Sequence, residues 1–219
     1  MKNVAVIGSG ISGLVTTYLL SRNHNVTLFE KNDYLGGHTA TVDVEVEGQQ
    51  YAIDTGFIVF NNKTYPNFLK LLDQIGIDKQ ETEMSFSVEN QFSGLEYNGH
   101  DLNSLFSQRR NIFNPKFWFL IKEIVRFNKI AKSYYGQEDK IGTETLADFL
   151  AEQGFSDYFA EHYILPMGAA IWSSSIDDMR AFSLRFFIQF FENHGLLNIA
   201  DRPQWYVLEG GSRSYIPDL

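Results

Sequence analysis

The feature that most constrains the fold is a glycine-rich turn between an apolar run and a helical stretch near the start of the chain. Residues 4–7 are apolar, residues 8–13 read G-S-G-I-S-G, and a helical stretch continues to about Arg22. A second apolar run over residues 26–29 ends on Glu30. Two short apolar runs separated by a helix are typical of two parallel strands joined by a crossover helix. The sequence therefore predicts that the chain begins with an α/β unit.

The spacing of the three glycines fits a dinucleotide-binding turn, because it lies between a strand and a helix and an acidic residue ends the next strand. Gly8 allows the tight turn, Gly10 lets the backbone approach a pyrophosphate, and Gly13 lets the helix pack on the strand. The free N–H groups and the dipole of the helix N-terminus favour phosphate. Glu30 is placed to accept hydrogen bonds from the two hydroxyls of an adenosine ribose. The simpler alternative is a glycine-rich turn that binds nothing.

A second glycine pair follows the Glu30 strand, within residues 35–41, L-G-G-H-T-A-T. Residues 41–47 then alternate apolar and acidic side chains, which predicts a half-buried strand. A turn at residues 47–50 and a return strand over residues 51–54 complete a predicted hairpin. The segment 54–57, D-T-G-F, is predicted to break that strand.

Together these segments resemble the FAD-binding signature of the flavin-containing amine oxidase superfamily. That superfamily includes monoamine oxidases, phytoene desaturases, protoporphyrinogen oxidases and, more distantly, UDP-galactopyranose mutases. The resemblance implies that Gly36 and Gly37 bring backbone N–H groups close to a pyrophosphate and that residues 54–57 pass under the flavin ring. His38 stands where the superfamily often has Arg, a departure that weakens the phosphate clamp or changes its protonation. Residues 166–173 and 205–212 make the chain most similar to bacterial FAD-binding proteins encoded beside cyclopropane-fatty-acid synthases.

The resemblance implies a non-covalently bound FAD. The residues predicted to bind it are Gly8, Ser9, Gly10, Ile11, Ser12, Gly13, Glu30, Lys31, Gly36, Gly37, His38, Thr39, Gly56 and Phe57. An acidic Glu30 disfavours NADP because it would repel the 2′-phosphate. The preference for FAD over NAD follows from the resemblance at the second glycine pair and at residues 54–56.

The later part of the chain is mainly helical in pattern, with helices predicted over residues 115–135, 143–153, 156–165, 168–172 and 181–194. We therefore predict an α/β architecture made of three segments. They are a Rossmann-like FAD-binding segment with a β-hairpin over residues 1–62, an inserted α+β, mainly helical substrate domain over 63–203, and a return to the FAD-binding domain over 204–219. A doubly wound sheet needs more parallel strands than these, so we expect an N-terminal portion of a longer protein.

Composition excludes several kinds of function. The chain has no cysteine, which excludes disulfides, thiolate metal sites, cysteine nucleophiles and a cysteinyl-linked flavin, and it fits a cytoplasmic location. A net charge of −9 argues against nucleic-acid binding. No metal site is predicted, because His24 and His100 fall in a turn and a loop, and His162 and His194 fall in helical stretches with no carboxylate partner at ligand spacing. No catalytic residue and no oligomeric state can be assigned from the sequence.

Residues 109–132 differ from the rest of the chain in charge. They contain seven basic residues and one acidic residue, a net charge of +6, so the remainder of the chain carries −15. An apolar stripe at helical spacing accompanies them, made of Phe117, Leu120, Ile121, Ile124, Phe127 and Ala131. One interpretation is a basic amphipathic helix in peripheral contact with an anionic membrane. The other is a surface helix whose stripe packs on its own domain.

The function expected from the resemblance is FAD-dependent oxidation, with hydride transfer from an apolar, lipid-like small molecule to the flavin. The flavin would carry the redox chemistry, which explains why no acid or base stands out in the sequence. Two alternatives remain open. One is a non-redox flavoprotein isomerase or mutase, and the other is a nucleotide-binding protein without turnover.

Overall fold

The computed structural model describes residues 1–137, 141–198 and 202–219, which divide into two units. The first unit combines residues 1–84 with residues 203–219, and the second unit is residues 85–202. The second unit is thus an insertion in the sequence of the first. Each unit has its own buried apolar cluster.

The first unit begins with the predicted strand–helix–strand arrangement. Strand β1 (Asn3–Ile7) pairs in parallel with β2 (Asn25–Phe29), and helix α1 (Ile11–Ser21) connects them. Alternate strand residues are half-buried, and Leu14 of α1 is buried with 4% of its surface exposed. The parallel pairing confirms the α/β class expected from the two apolar runs.

The predicted hairpin consists of β3 (Ala40–Val46) and β4 (Gln49–Gly56). Its turn consists of Glu47 and Gly48 and is shorter than predicted. Both residues have positive φ, 54° and 80°, as a two-residue primed turn requires. The return strand continues to Gly56 and does not break at residue 54. The prediction of a half-buried strand is wrong, since Val42 and Val46 are 50% and 53% exposed. Alternation places the valines on one face, but burial also needs a second layer of structure.

A small antiparallel sheet completes the first unit, in the order β5 (Phe60–Asn61), β9 (Trp205–Leu208) and β6 (Lys79–Thr82). Helix α2 (Pro66–Ile75) begins with proline and ends at Gly76 with φ 73°, as predicted. The core of the unit is Leu14, Phe60, Leu72, Leu208 and Tyr215. Because α2 and β6 belong to this unit, its first boundary lies after residue 84, whereas the sequence placed it after residue 62.

The second unit is mainly helical. A hairpin of β7 (Ser87–Asn90) and β8 (Leu95–Asn98) opens it, and a 3₁₀ helix (Arg109–Phe113) lies between the first two helices. Its helices are α3 (Leu102–Leu105), α4 (Pro115–Tyr134), α5 (Leu146–Glu152), α6 (Asp157–Phe159), α7 (Leu165–Trp172), α8 (Ile176–Arg180) and α9 (Leu184–Asn193). Its core is rich in phenylalanine, with Phe117, Phe127, Phe149, Phe159 and Phe187 fully buried.

The helices predicted over residues 156–165 and 168–172 form one continuous run, in which a π-helix (Ala160–Ile164) joins α6 to α7. Pro166 lies at the start of α7 and has no N–H, so it cannot donate to the carbonyl of His162, four residues earlier. The hydroxyl of Tyr97 donates to that carbonyl instead, at 2.6 Å. A bond from outside the helix thus lets the run continue through a proline.

Helix α4 decides between the two interpretations of the predicted apolar stripe. Four of the six stripe residues, Phe117, Leu120, Phe127 and Ala131, are completely buried in the second unit. The stripe therefore packs on its own unit, and its assignment as a lipid-facing surface is wrong. No helix within the described ranges is long and apolar enough to cross a membrane.

Candidate nucleotide-binding site

The two glycine segments and the residues that follow β4 line a cavity of about 500 Å³ in the first unit. Ten of the fourteen predicted site residues line it: Gly8, Gly10, Ile11, Ser12, Gly13, Gly36, Gly37, His38, Thr39 and Phe57. The lining also contains Ile7, Tyr65, Phe68 and Tyr215, which the sequence analysis did not identify. The other four predicted residues, Ser9, Glu30, Lys31 and Gly56, are not part of the lining.

One wall of the cavity is the N-terminus of α1. Gly10 is the N-cap residue of this helix, and because it has no side chain it does not cap the helix N–H groups. The N–H groups of Ile11, Ser12 and Gly13 belong to the first turn of the helix and have no acceptor within it. All three residues line the cavity, so these donors and the positive end of the helix dipole are available to an anion.

Glycine is present for a different structural reason at each of the three positions of the first turn. Gly8 has φ 91°, which a residue with a side chain rarely adopts. A Cβ on Gly13 would lie 1.9 Å from the carbonyl oxygen of Gly8, so only glycine allows α1 to approach the turn this closely. A Cβ on Gly10 would have no atom within 4 Å and would occupy space at the cavity wall. Gly13 is thus required by packing, whereas Gly10 leaves room for a ligand.

The second glycine segment packs directly against the first. The amide of Gly36 donates to the carbonyl of Ser9 at 3.0 Å, and a Cβ on Gly37 would lie 2.9 Å from Cα of Gly10. Gly56 lies behind this segment, where a Cβ would be 2.3 Å from the carbonyl oxygen of His38. Gly56 therefore allows the hairpin to support the second segment, although it does not line the cavity itself.

Glu30 is held by protein donors on both carboxylate oxygens. Oε2 accepts from the backbone N and the hydroxyl of Ser9, at 2.7 Å and 2.6 Å. Oε1 accepts from the backbone N of Lys31 at 2.7 Å and of Asn32 at 2.9 Å. The hydrogen bond from Asn32, followed by those from Ser9, lowers the pKa of Glu30 to about 2. The carboxylate is therefore ionised at neutral pH, and its bond to ribose hydroxyls stays a prediction.

Part of the cavity lining is aromatic. Phe57 has φ 49° and packs edge-on against Phe68, with 5.4 Å between the ring centres. Phe68 contacts Tyr215 in the same manner at 5.6 Å. The Tyr215 hydroxyl bonds the Thr39 hydroxyl at 2.8 Å, which ties this wall to the second glycine segment. The cavity thus joins a group of backbone donors to an apolar aromatic wall.

Asp54 fixes the segment that contains Tyr215. Its Oδ1 accepts from the Thr41 hydroxyl at 2.7 Å and from the backbone N of Ser212 at 2.8 Å. Gly211 permits this contact, because a Cβ there would lie 2.5 Å from Cγ2 of Thr41. The 54–57 segment therefore supports the cavity in two ways, through the Asp54 carboxylate and through the ring of Phe57. Sequence reasoning missed Tyr215 because its proximity arises from these contacts between distant residues.

His38, Lys31 and the question of a metal site remain among the predicted features. His38 is solvent-exposed and lines the cavity, and Lys31 contributes its backbone N–H to Glu30. Within the described ranges, no group of three or more His, Asp or Glu side chains is arranged to hold a metal ion.

Comparison with known protein families agrees with this geometry. Residues 6–75 match the family described as "NAD(P)-binding Rossmann-like domain". This part of the chain has a Rossmann-like fold. The match begins within β1 and covers α1, β2, both glycine segments, the hairpin and α2, and it confirms the predicted fold class.

Proteins similar in sequence include a desaturase and a dehydrogenase. A 1-hydroxycarotenoid 3,4-desaturase of Flavobacterium sp. (strain P99-3) is 29% identical over 167 residues, which cover 74% of this chain and 31% of that protein. A 4,4′-diapolycopen-4-al dehydrogenase of Metabacillus indicus is 35% identical over 83 residues, which cover 37% of this chain and 16% of that protein. The chain thus spans less than a third of either relative.

Among solved structures, similar folds occur in amine oxidases. Putrescine oxidase bound to putrescine matches with a TM-score of 0.69 and 16% identity, over 100% of this chain and 48% of that chain. Cyclohexylamine oxidase from Brevibacterium oxydans IH-35A matches with a TM-score of 0.64 and 18% identity, over 99% of this chain and 48% of that chain. At these identities the likeness shows a shared fold. The similarity to proteins encoded beside cyclopropane-fatty-acid synthases stays a prediction.

Proposed function

We propose that the first unit binds FAD and that the protein is an FAD-dependent oxidoreductase acting on an apolar, lipid-like substrate. The observation that carries the proposal is the cavity, which joins the free N–H groups of a helix N-terminus to a wall of aromatic rings. A dinucleotide with a pyrophosphate and a planar aromatic ring needs both features.

The residues of the cavity fit FAD better than NADP. Backbone N–H groups from Ile11 to Gly13 would hold the pyrophosphate, and the open space at Gly10 lets that group approach the backbone. The ionised Glu30 would repel the 2′-phosphate of NADP and would accept from the unmodified ribose. The rings of Phe57, Tyr65, Phe68 and Tyr215 would provide an apolar surface for the flavin ring.

A bound flavin would supply the redox chemistry, as an acceptor of hydride. The protein residues then need to bind the cofactor, orient it and keep water away, which is what the described cavity can do. Similar proteins differ in substrate: one sequence relative is a desaturase of a 1-hydroxycarotenoid, whereas two proteins of similar fold are oxidases of putrescine and cyclohexylamine. We favour an apolar, lipid-like substrate because the carotenoid enzyme is a relative in sequence.

The reaction class can be tested with the protein loaded with FAD and freed of oxygen. Addition of a long unsaturated lipid or carotenoid precursor is expected to bleach the flavin absorbance, because hydride transfer reduces the flavin. Putrescine and cyclohexylamine serve as comparison substrates. Bleaching by the amines alone would contradict the proposed substrate class. Conversion of a substrate without net reduction would favour the isomerase alternative.

The proposal also includes peripheral contact with an anionic membrane, through an exposed face of residues 109–132 that differs from the predicted stripe. Trp118, Phe119 and Val125 on α4 are 48%, 46% and 46% exposed. Trp118, Lys122, Val125 and Lys129 follow one another at spacings of three or four residues and lie on one side of the helix, and Phe119 is adjacent to Trp118. Phe113, just before the helix, is 89% exposed. We call these six residues the aromatic–lysine face.

The aromatic–lysine face has the properties of an interfacial surface. The indole N–H of Trp118 already donates to the carbonyl of Ile112 at 2.8 Å, so the ring can enter an apolar layer without losing a hydrogen bond to water. Lys122 and Lys129 make no hydrogen bond or ion pair within the described part of the chain, so their ammonium groups are available to lipid phosphates. Each such residue contributes about 1 kcal/mol near anionic lipid.

Other basic residues of segment 109–132 make hydrogen bonds and ring contacts that stabilise the fold. Arg126 donates to the carbonyls of Gln153 and Gly154, and its guanidinium lies 3.9 Å from the ring centre of Phe155. Lys132 donates to the side chain of Asn198. Charge reversal at Arg126 would therefore disturb the fold, which makes Lys122 and Lys129 the better sites for a test.

Reversing both lysines, Lys122→Glu with Lys129→Glu, is expected to weaken binding to vesicles of phosphatidylserine and phosphatidylcholine by at least about tenfold. Flotation measures this binding, and added salt should reduce it for the unchanged protein. Phe113→Ser should also weaken binding, because it removes an exposed apolar anchor. The control is Lys2→Glu with Lys70→Glu, the same charge change on exposed residues of the first unit. Equal binding to pure phosphatidylcholine, or no binding to either vesicle, would contradict the membrane contact.

A further inference from the structure

Ser9 connects three parts of the candidate site without lining its cavity. We infer that Ser9 is a positioning residue, which fixes the Glu30 carboxylate and the second glycine segment for recognition of the adenosine half of the cofactor. This inference rests on the proposed binding of FAD. It assigns a specific task to the second residue of the G-S-G-I-S-G turn, which the glycine pattern leaves undefined.

The geometry places Ser9 at the centre of the site. Its exposed surface is 0%, although it is a polar residue. The backbone N and the hydroxyl both donate to the same oxygen of Glu30, and the carbonyl accepts from the amide of Gly36. The Gly36 amide also lies 3.3 Å from the Ser9 hydroxyl oxygen. One buried residue thus joins the end of β2, the first turn and the second glycine segment.

The hydroxyl is the part of Ser9 that a smaller residue could not replace. At 2.6 Å from an ionised carboxylate it makes a charge-assisted hydrogen bond, a stronger type than a bond between neutral groups. Four protein donors contact the two oxygens of Glu30 in the free protein. The position of the carboxylate that would accept from the ribose hydroxyls is therefore set before binding. Fixing it in the free protein reduces the ordering that binding would otherwise require.

A purely structural role would make a different prediction. If Ser9 only filled space, its removal would lower stability and would affect the nucleotide independently of Glu30. If it acts through Glu30, removing the hydroxyl should matter only while the carboxylate is present. A double-mutant cycle separates these cases, because residues that act through one interaction show non-additive effects.

The cycle uses Ser9→Ala, Glu30→Gln and the double variant, with FAD affinity measured by flavin fluorescence. Ser9→Ala is expected to weaken FAD binding about tenfold, the effect of losing one hydrogen bond to a charged group. The double variant should bind FAD as Glu30→Gln does, with no further loss. Ser21→Ala is the matched control, since Ser21 lies on α1 outside the site and its hydroxyl bonds only the carbonyl of Tyr18. Ser9→Thr retains the hydroxyl and should restore part of the affinity.

A second measurement tests the link without any cofactor. Carbon-13 NMR of labelled glutamate carboxyls, with Glu30 assigned from its absence in Glu30→Gln, gives the pKa of Glu30 directly. In Ser9→Ala that pKa should rise toward the ordinary glutamate value, because a donor to the ionised form is lost.

An unchanged pKa, or affinity losses that multiply in the double variant, would overturn the inference. Failure of the unchanged protein to bind FAD would instead contradict the proposed function. The titration would still decide whether Ser9 fixes Glu30.

Discussion

Replacing Gly13 with alanine is expected to lower the free energy of unfolding by about 3 kcal/mol, the upper part of the usual range for overpacking. The added Cβ would lie 1.9 Å from the carbonyl oxygen of Gly8 and 3.0 Å from its carbonyl carbon. Both are backbone atoms of the turn, so neither can rotate away as the end of a side chain could. Helix α1 would have to move away from β1, and the donors at its N-terminus would move with it. FAD binding should therefore be lost together with stability.

Urea unfolding monitored by circular dichroism measures the expected change. Gly142→Ala is the matched control, because a Cβ at Gly142 would meet no atom within 4 Å and its φ is not positive. That control should unfold like the unchanged protein. A Gly13→Ala variant with unaltered stability and unaltered FAD affinity would show that α1 does not pack on the turn as described.

Gly10→Ala is expected to have the opposite combination of effects. Gly10 has φ −62°, which alanine adopts readily, and a Cβ there would have no atom within 4 Å. Stability should therefore change little. The methyl group would enter the cavity where the pyrophosphate approaches the backbone, so FAD affinity should fall by about 100-fold or more, equivalent to losing two charge-assisted hydrogen bonds.

Thermal unfolding and flavin fluorescence titration of the same Gly10→Ala preparation check both parts of this expectation. An unchanged melting temperature with greatly weakened FAD binding would assign the pyrophosphate to this wall of the cavity. Normal FAD affinity in a folded Gly10→Ala variant would place the pyrophosphate elsewhere.

Sequence patterns predicted those parts of the site whose conformation depends on residues close together in the chain. The apolar runs around the first turn correctly indicated β1, α1 and β2, because strand and helix periodicity are properties of short segments. Glycine spacing identified both segments that line the cavity, since positive φ and close backbone contacts permit few other residues. Pro66 and Gly76 marked the two ends of α2 for the same reason.

Features that depend on distant contacts were not predictable in this way. Tyr215 reaches the cavity because Asp54 holds the backbone of Ser212, and the two residues are 158 positions apart in the chain. The burial of α4 also depends on contacts with residues that are distant in the sequence. Periodicity identified an apolar stripe but not which neighbours cover it, and the residues left exposed, such as Trp118, follow a second pattern on the same helix. The hydrogen bond from Arg126 to the carbonyl at the C-terminal end of α5 is likewise not indicated by the sequence around Arg126.

The central claim is that the cavity between the two glycine segments is an FAD site, and equilibrium binding of FAD to the purified protein tests it most directly. Titration followed by flavin fluorescence and absorbance should give a dissociation constant in the micromolar range or below. ADP should compete, because it carries the pyrophosphate and the adenosine ribose that we propose the turn and Glu30 to bind. NADP should compete poorly, owing to its 2′-phosphate. A protein that binds NAD tightly, rejects FAD and remains colourless would contradict the claim.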